Sequence, residues 1–140
     1  MAVTSLHHVS LRTQDPNASR GFYERIGFSF MEIPVGGETV SRWRGSPEDG
    51  VLLATQVGST FVILQPPLQG CRPDDRFDEH RIGIDHLAFG VESRDDLASL
   101  LTALAGAGVD TAGIETDPVL GKEYVCFRDP DNVQWEFYIA

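Results

Sequence analysis

The sequence predicts an α+β fold made of two tandem copies of one βαβββ unit, and three observations carry that reading. The order strand, helix, three strands can be traced twice along the 140 residues. Each copy opens on a strand that holds a histidine, His8 in "LHHVSLRT" and His86 in "IDHLAFGV", 78 residues apart. Each opening strand is followed by a helix with its own start signal.

In the first copy, residues 6–13 alternate and read as a strand. Asp15 then suits an N-cap and Pro16 the first helical turn. Ser19, Phe22, Tyr23 and Ile26 fall on one helical face, and Gly27 ends the helix. Extended pieces follow in "FSFMEIPV", within 38–57 around "GSPEDG", and in "STFVILQ". Residues 67–81, rich in Pro, Gly and Asp, read as a connector. The second copy begins with "IGIDHLAFGV" and continues into a helix opened by Ser93 and Asp96, spaced as a capping box. Leu97, Leu100, Leu101 and Leu104 form its apolar stripe. "VDTAGIE", "KEYVCFR" and "NVQWEFYI" supply three strands, and "DPDN" makes the turn between the last two. The expectation is one domain over 1–140: a first module of about 1–66, the connector, and a second module of about 82–140.

Side chains alternate along a strand, so each strand offers one face to a helix and the other to whatever the sheet encloses. Val9 and Leu11 belong to the helix side, which leaves His8, Ser10 and Arg12 opposite. Leu87, Phe89 and Val91 leave His86 beside the small Ala88 and Gly90. Trp135, Phe137 and Ile139 leave Gln134, Glu136 and Tyr138, and Val125 and Phe127 leave Tyr124 and Cys126. In the fourth strand the same parity sends Phe61 and Ile63 inward and Thr60, Val62 and Leu64 to the enclosed face. Val62 then stands where the second copy has Glu136; a register one residue on would put Ile63 there. His8, His86 and Glu136 are thus ligand-type residues at three of four matching positions, and the fourth is apolar. Taken singly, a strand histidine is more often a hydrogen-bonded core residue and Glu136 an edge carboxylate; their shared parity reverses that weighting. His7 faces the other way and is the alternative to His8.

The formal charge of −10, from 11 Lys+Arg against 21 Asp+Glu, argues against a nucleic-acid backbone or an anionic membrane as partner. Cys71 and Cys126 have no metal or redox spacing and read as thiols of a reducing compartment. No export signal is visible in "MAVTSLHHVSL", and no apolar stretch approaches the roughly 18 residues of a membrane span. The cytoplasm is the expected location.

"LHHVSLRTQDPNASRGFYERIGF", "IDHLAFGV" and "FRDPDNVQWEF" together resemble the vicinal oxygen chelate superfamily, which includes glyoxalase I, extradiol dioxygenases and bleomycin-binding proteins. The resemblance spans nearly the whole chain and implies that the two modules form an incomplete barrel around a central cleft. It implies metal ligands at the first and last strand of each module, which carries over to His8, His86 and Glu136, with Val62 at the fourth place. Glyoxalases and epimerases have Glu or Gln there, so the apolar residue counts against those two activities. It also implies a homodimer and a small-molecule substrate bearing neighbouring oxygens.

Two histidines and one carboxylate can occupy one face of an octahedral divalent ion, an arrangement associated with non-haem Fe(II) oxygenases. Fe2+ is the favoured ion, and Mn2+, Zn2+, Ni2+ or Co2+ would also fit. The expected activity is that of a metal-dependent enzyme of dioxygenase or isomerase/lyase type. Ser10, Arg42, Val62, Tyr124 and Cys126 are the candidate substrate contacts, and the sequence assigns no catalytic acid or base. The alternative is a non-catalytic protein that sequesters a drug or metabolite, as the bleomycin-resistance branch does.

Overall fold

A computed structural model describes residues 2–35, 51–68 and 70–140. Arg42, Trp43 and Arg44, and most of the expected strand region within 38–57, lie outside the described residues. The chain divides into two compact units, Met1–Glu24 with Phe28–Asp75 and Arg25–Gly27 with Arg76–Ala140.

The first unit begins with strand β1 (His8–Arg12) and helix α1 (Pro16–Arg25). The Asp15 carboxylate accepts the backbone N–H groups of Asn17 and Ala18, both at 3.0 Å, so it serves as the expected cap. Gly27 adopts φ 103°, a conformation that side chains resist, and the helix stops there. Ser19, Phe22 and Tyr23 are the buried face of α1, and the Tyr23 ring packs edge-on against Phe28. Strands β2 (Phe30–Pro34), β3 (Val51–Val57) and β4 (Thr60–Gln65) complete the sheet in the order β1-β4-β3-β2.

The second unit repeats this plan. Strand β5 (His86–Val91) precedes helix α2 (Arg94–Gly106), and β6 (Glu115–Thr116), β7 (Glu123–Arg128) and β8 (Gln134–Ile139) form a sheet ordered β5-β8-β7-β6. In both sheets the first strand runs parallel to the last, and the remaining pairs are antiparallel. The α+β class and the tandem βαβββ modules are therefore as the sequence implies. Ser93 and Asp96 form a full capping box. Leu97, Leu100 and Leu104 are buried where α2 packs on β7 and β8. On that face of the sheet Phe89 stacks on Trp135, with ring centroids 5.1 Å apart.

The connector is held in two halves. Gln14 donates to the carbonyls of Arg72 and Asp75, at 3.1 and 2.8 Å, fixing its first half to the first unit. The second half docks on the turn before β8: the Phe77 N–H donates to the Asp131 carbonyl, and Asn132 Nδ2 donates to that of Phe77. Asn132 sits at φ 70° and Asp129 Oδ1 accepts from the backbone of Asp131 and Val133, so "DPDN" turns as expected.

Two expectations are corrected. "VDTAGIE" contributes only its last residue, Glu115, to a strand, the two-residue β6, because Gly113 at φ 90° interrupts an extended chain before Glu115. In β4, Val62 is paired with Val9 and Ile63 with Ser10. Residues directly opposite share a face, so Val62 and Leu64 lie on the buried side with Val9 and Leu11. Ile63, not Val62, matches Glu136, which stands opposite Ala88 in the second sheet. Val62 is only 2% exposed, and it is a core residue and not a ligand contact. Val62→Thr, which buries a hydroxyl at constant shape, should therefore cost about 1–3 kcal/mol in urea unfolding. A change within about 0.5 kcal/mol, as on an open face, would contradict this register.

Candidate metal centre

The outward face of the second sheet is set by pairing. His86, Ala88 and Gly90 on β5 stand opposite Gln134, Glu136 and Tyr138 on β8. Tyr124, Cys126 and Arg128 on β7 stand opposite the same three residues in reverse order. Both expected members of the metal set in this unit thus share one face. His86 Nε2 lies 3.3 Å from Glu136 Oε2. Ligand atoms about 2.0–2.2 Å from one ion at a right angle are about 3 Å apart, so this spacing suits two neighbouring ligands. The Glu136 side chain is 10% exposed and that of His86 37%, so the carboxylate is set deep and the imidazole at the rim.

Glu136 is held from several sides. Gln134 Nε2 donates to Oε1 at 3.0 Å, and Arg128 donates to Gln134 Oε1 at 3.3 Å, which fixes which end of the amide meets Glu136. Arg128 is itself anchored by Glu79, at 2.7 and 3.2 Å; the hydrogen bond from Glu79's own backbone N–H first, then that pairing, holds the Glu79 carboxyl below its usual range. The Tyr138 hydroxyl lies 3.0 Å from Glu136 Oε2 and 2.7 Å from Asp117 Oδ2. Burial and these two acidic neighbours push the phenol up, so Tyr138 stays neutral. Asp117 accepts the backbone N–H groups of Val119 and Leu120 through its other oxygen; the Leu120 bond above all, then the Tyr138 hydroxyl, holds its carboxyl low. At the rim, His86 Nδ1 lies 2.6 Å from Asp85 Oδ1.

Tyr124 and Cys126 are half-buried on the same face, and the Tyr124 ring stacks on Tyr138 with centroids 5.0 Å apart. Burial first, then Glu136, pushes the Cys126 thiol up, which disfavours the thiolate. In the first unit His8 and Ser10 are exposed on the face that carries Ile63. His8 Nδ1 lies 2.9 Å from His7 Nδ1, so one ring donates to the other there, and Ser10 Oγ is 3.4 Å from Gln65 Nε2. The structure thus brings His86, Glu136, Tyr124 and Cys126 onto one sheet, and places His8 and Ser10 on the other.

Sequence reading gave no role to Gln134, Tyr138, Asp117 or Asp85. For Gln134 and Tyr138 a signal existed, since both sit two residues from Glu136 and so share its face. Asp117 is 21 residues from Tyr138 and reaches it only through a turn, which no periodicity marks. Among the described residues, Asp78, Glu79 and His80 place three ligand-type atoms within 4.8 Å of one another. Glu79 is taken by Arg128 and His80 by Asp78, and these ion pairs account for that group.

Comparison with known proteins gives a consistent result. The family described as "Glyoxalase/Bleomycin resistance protein/Dioxygenase superfamily" matches residues 5–137. The Bacillus subtilis (strain 168) protein named "Uncharacterized protein YwkD" is 33% identical over 140 residues, covering 99% of this chain and 98% of that protein. A solved glyoxylase/bleomycin resistance protein/dioxygenase domain from Frankia sp. EAN1pec superposes with a TM-score of 0.76 at 29% identity, covering 99% of each chain. A lactoylglutathione lyase from Agrobacterium tumefaciens, with a TM-score of 0.64 at 17% identity, covering 100% of this chain and 96% of that one, shares the fold.

Proposed function

The chain belongs to the Glyoxalase/Bleomycin resistance protein/Dioxygenase superfamily, and from that premise we propose that it is a metal-dependent enzyme acting on a small molecule with two neighbouring oxygens. One divalent ion, Fe2+ in preference to Mn2+, Zn2+, Ni2+ or Co2+, is held by His8, His86 and Glu136. The observation that supports this most is the 3.3 Å approach of His86 Nε2 to Glu136 Oε2 on one sheet face. The donor set fits the group: imidazole nitrogen and carboxylate oxygen suit first-row divalent ions. Ile63, at the position matching Glu136, brings no donor, so the set stays at three.

When bound, such an ion acts as a Lewis acid that stabilises negative charge developing on a substrate oxygen. The protein's own groups hold and select. Gln134 and Tyr138 keep Glu136 from turning away, and Tyr124 offers a flat aromatic surface beside it. Ser10 and Arg42 are the proposed substrate contacts from the first module. Cys126, opposite Glu136 on the same face, is a further proposed substrate contact. We place the protein in the cytoplasm as a homodimer.

The reading is tested by loading the protein with Fe(II) without oxygen, adding a panel of catechols, and admitting air. Oxygen uptake with ring-cleaved product is the dioxygenase outcome. Deuterium exchange into an α-oxygenated carbonyl substrate, without oxygen uptake, is the isomerase/lyase outcome. Protein that binds small molecules equally well with and without metal, and turns none over, would overturn the proposal in favour of sequestration.

A further inference from the structure

Glu79 belongs to the connector, yet Arg128 and Gln134 link it to Glu136, all within the second unit. We infer that Glu79 is a positioning residue for the metal centre: by holding Arg128, it sets which end of the Gln134 amide meets Glu136. Docking of the connector and binding of the ion are thereby coupled. The inference rests on the metal-dependent reading above and names what tunes that site.

Arg128 and Gln134 stand directly opposite each other on β7 and β8, and Glu136 follows Gln134 on the same face. An arginine only donates hydrogen bonds, so the end of an amide that meets it must be the oxygen. Arg128 Nη2 donates to Gln134 Oε1 at 3.3 Å, which leaves Gln134 Nε2 to donate to Glu136 Oε1 at 3.0 Å. The first of these bonds is longer than most of its kind, so the guanidinium needs a stronger partner to fix it. Glu79 is that partner. It accepts from Nη2 at 2.7 Å and from Nη1 at 3.2 Å, and Nη1 also donates to the Asn132 carbonyl at 3.0 Å. The docked connector brings Glu79 there. Asn132 Nδ2 donates to the Phe77 carbonyl at 2.8 Å, the Phe77 N–H to the Asp131 carbonyl at 2.9 Å, and Arg76 to the Pro130 carbonyl. Without Glu79 the guanidinium loses its charged partner and its grip on Gln134. The amide then turns over, which sets its oxygen toward Oε1 and ends the hydrogen bond that steadies the carboxylate. Groups that orient a metal ligand from behind are worth about 10–100-fold in metal affinity. Linkage is reciprocal, so the bound ion tightens connector docking by the same factor.

The test uses the full chain, with Mn2+ alone as the probe. In calorimetric titrations run well below the melting temperature of each variant, Glu79→Ala and Gln134→Met should each weaken binding by about 10–100-fold. In the Gln134→Met background, Glu79→Ala should cost nothing further, because both changes break the same path. Glu79→Gln, which keeps one oxygen for Arg128, should lose less than Glu79→Ala. In metal-free protein the Gln134 side-chain NH2, identified in 15N-resolved NMR by its loss in Gln134→Met, should exchange with solvent faster in Glu79→Ala than in wild type. Mn2+ should slow exchange of the Phe77 N–H more in wild type than in Glu79→Ala. Unaltered Mn2+ affinity in Glu79→Ala would overturn the inference. An equal loss from Glu79→Ala in the wild-type and Gln134→Met backgrounds would do the same, since the effect would then bypass the amide. Wild-type protein that binds no Mn2+, with exchange of the Gln134 NH2 still governed by Glu79, would refute the metal reading while supporting the positioning of the amide.

Discussion

Glu136→Ala should lower the affinity for Mn2+ or Fe2+ by more than about 100-fold, beyond the range expected for loss of an outer-shell partner. Glu136 is the only carboxylate in the proposed set, so its removal deletes both a donor atom and the charge that offsets the ion. Glu136→Gln separates these contributions: it keeps a side chain of the same shape beside Gln134 and Tyr138 but carries no charge. Both variants should bind metal poorly, while His86→Ala should do so with its full complement of carboxylates intact. Calorimetric titration under anaerobic conditions measures the affinities, and the melting temperature shows whether the fold persists. Affinity in Glu136→Ala within threefold of wild type would remove Glu136 from the centre.

Trp135→Ala should produce the largest loss of stability, about 3–5 kcal/mol by urea or thermal unfolding. Trp135 is 1% exposed, stacks on Phe89, and donates its indole N–H to Asp129 Oδ2 at 3.1 Å. It thus ties the helix-side core of the second sheet to the turn that introduces β8. Because total stability for a domain of this kind is about 5–15 kcal/mol, Trp135→Ala will bring the chain near unfolding at moderate temperature. Trp135→Phe keeps an aromatic ring and loses the donor, and should cost much less, about 1 kcal/mol. Equal losses in the two variants would show that the hydrogen bond, and not the packing, dominates at this position. Since β8 also carries Glu136, the same variants should lower metal affinity only as far as they unfold the strand.

Much of this was legible in the sequence because the second module states its pattern clearly. Gln134, Glu136 and Tyr138 alternate with Trp135, Phe137 and Ile139, and only one register keeps the aromatic set inside. The capping box at Ser93 and the glycine at 27 mark helix ends by mechanisms that act locally, so they too could be read from neighbours in the chain. Strand β4 gave no such guidance. Phe61, Val62, Ile63 and Leu64 are all apolar, so alternation is silent and the face had to come from pairing with β1. The hydrogen-bonded support of the centre was less legible still. The Tyr138 to Asp117 bond depends on where a turn returns the chain, and the grip of Arg128 on Gln134 and Glu79 depends on how the connector docks. These contacts follow from tertiary structure, which a single sequence specifies without displaying.

The coordination claim is met most directly by crystals soaked with Mn2+ or grown from Fe2+-loaded protein, with anomalous difference maps collected at the metal edge. The account predicts one strong peak per chain within bonding distance of His8, His86 and Glu136. A peak at Asp78, Glu79 and His80 instead, or an ion that touches Glu136 but neither imidazole, would contradict it.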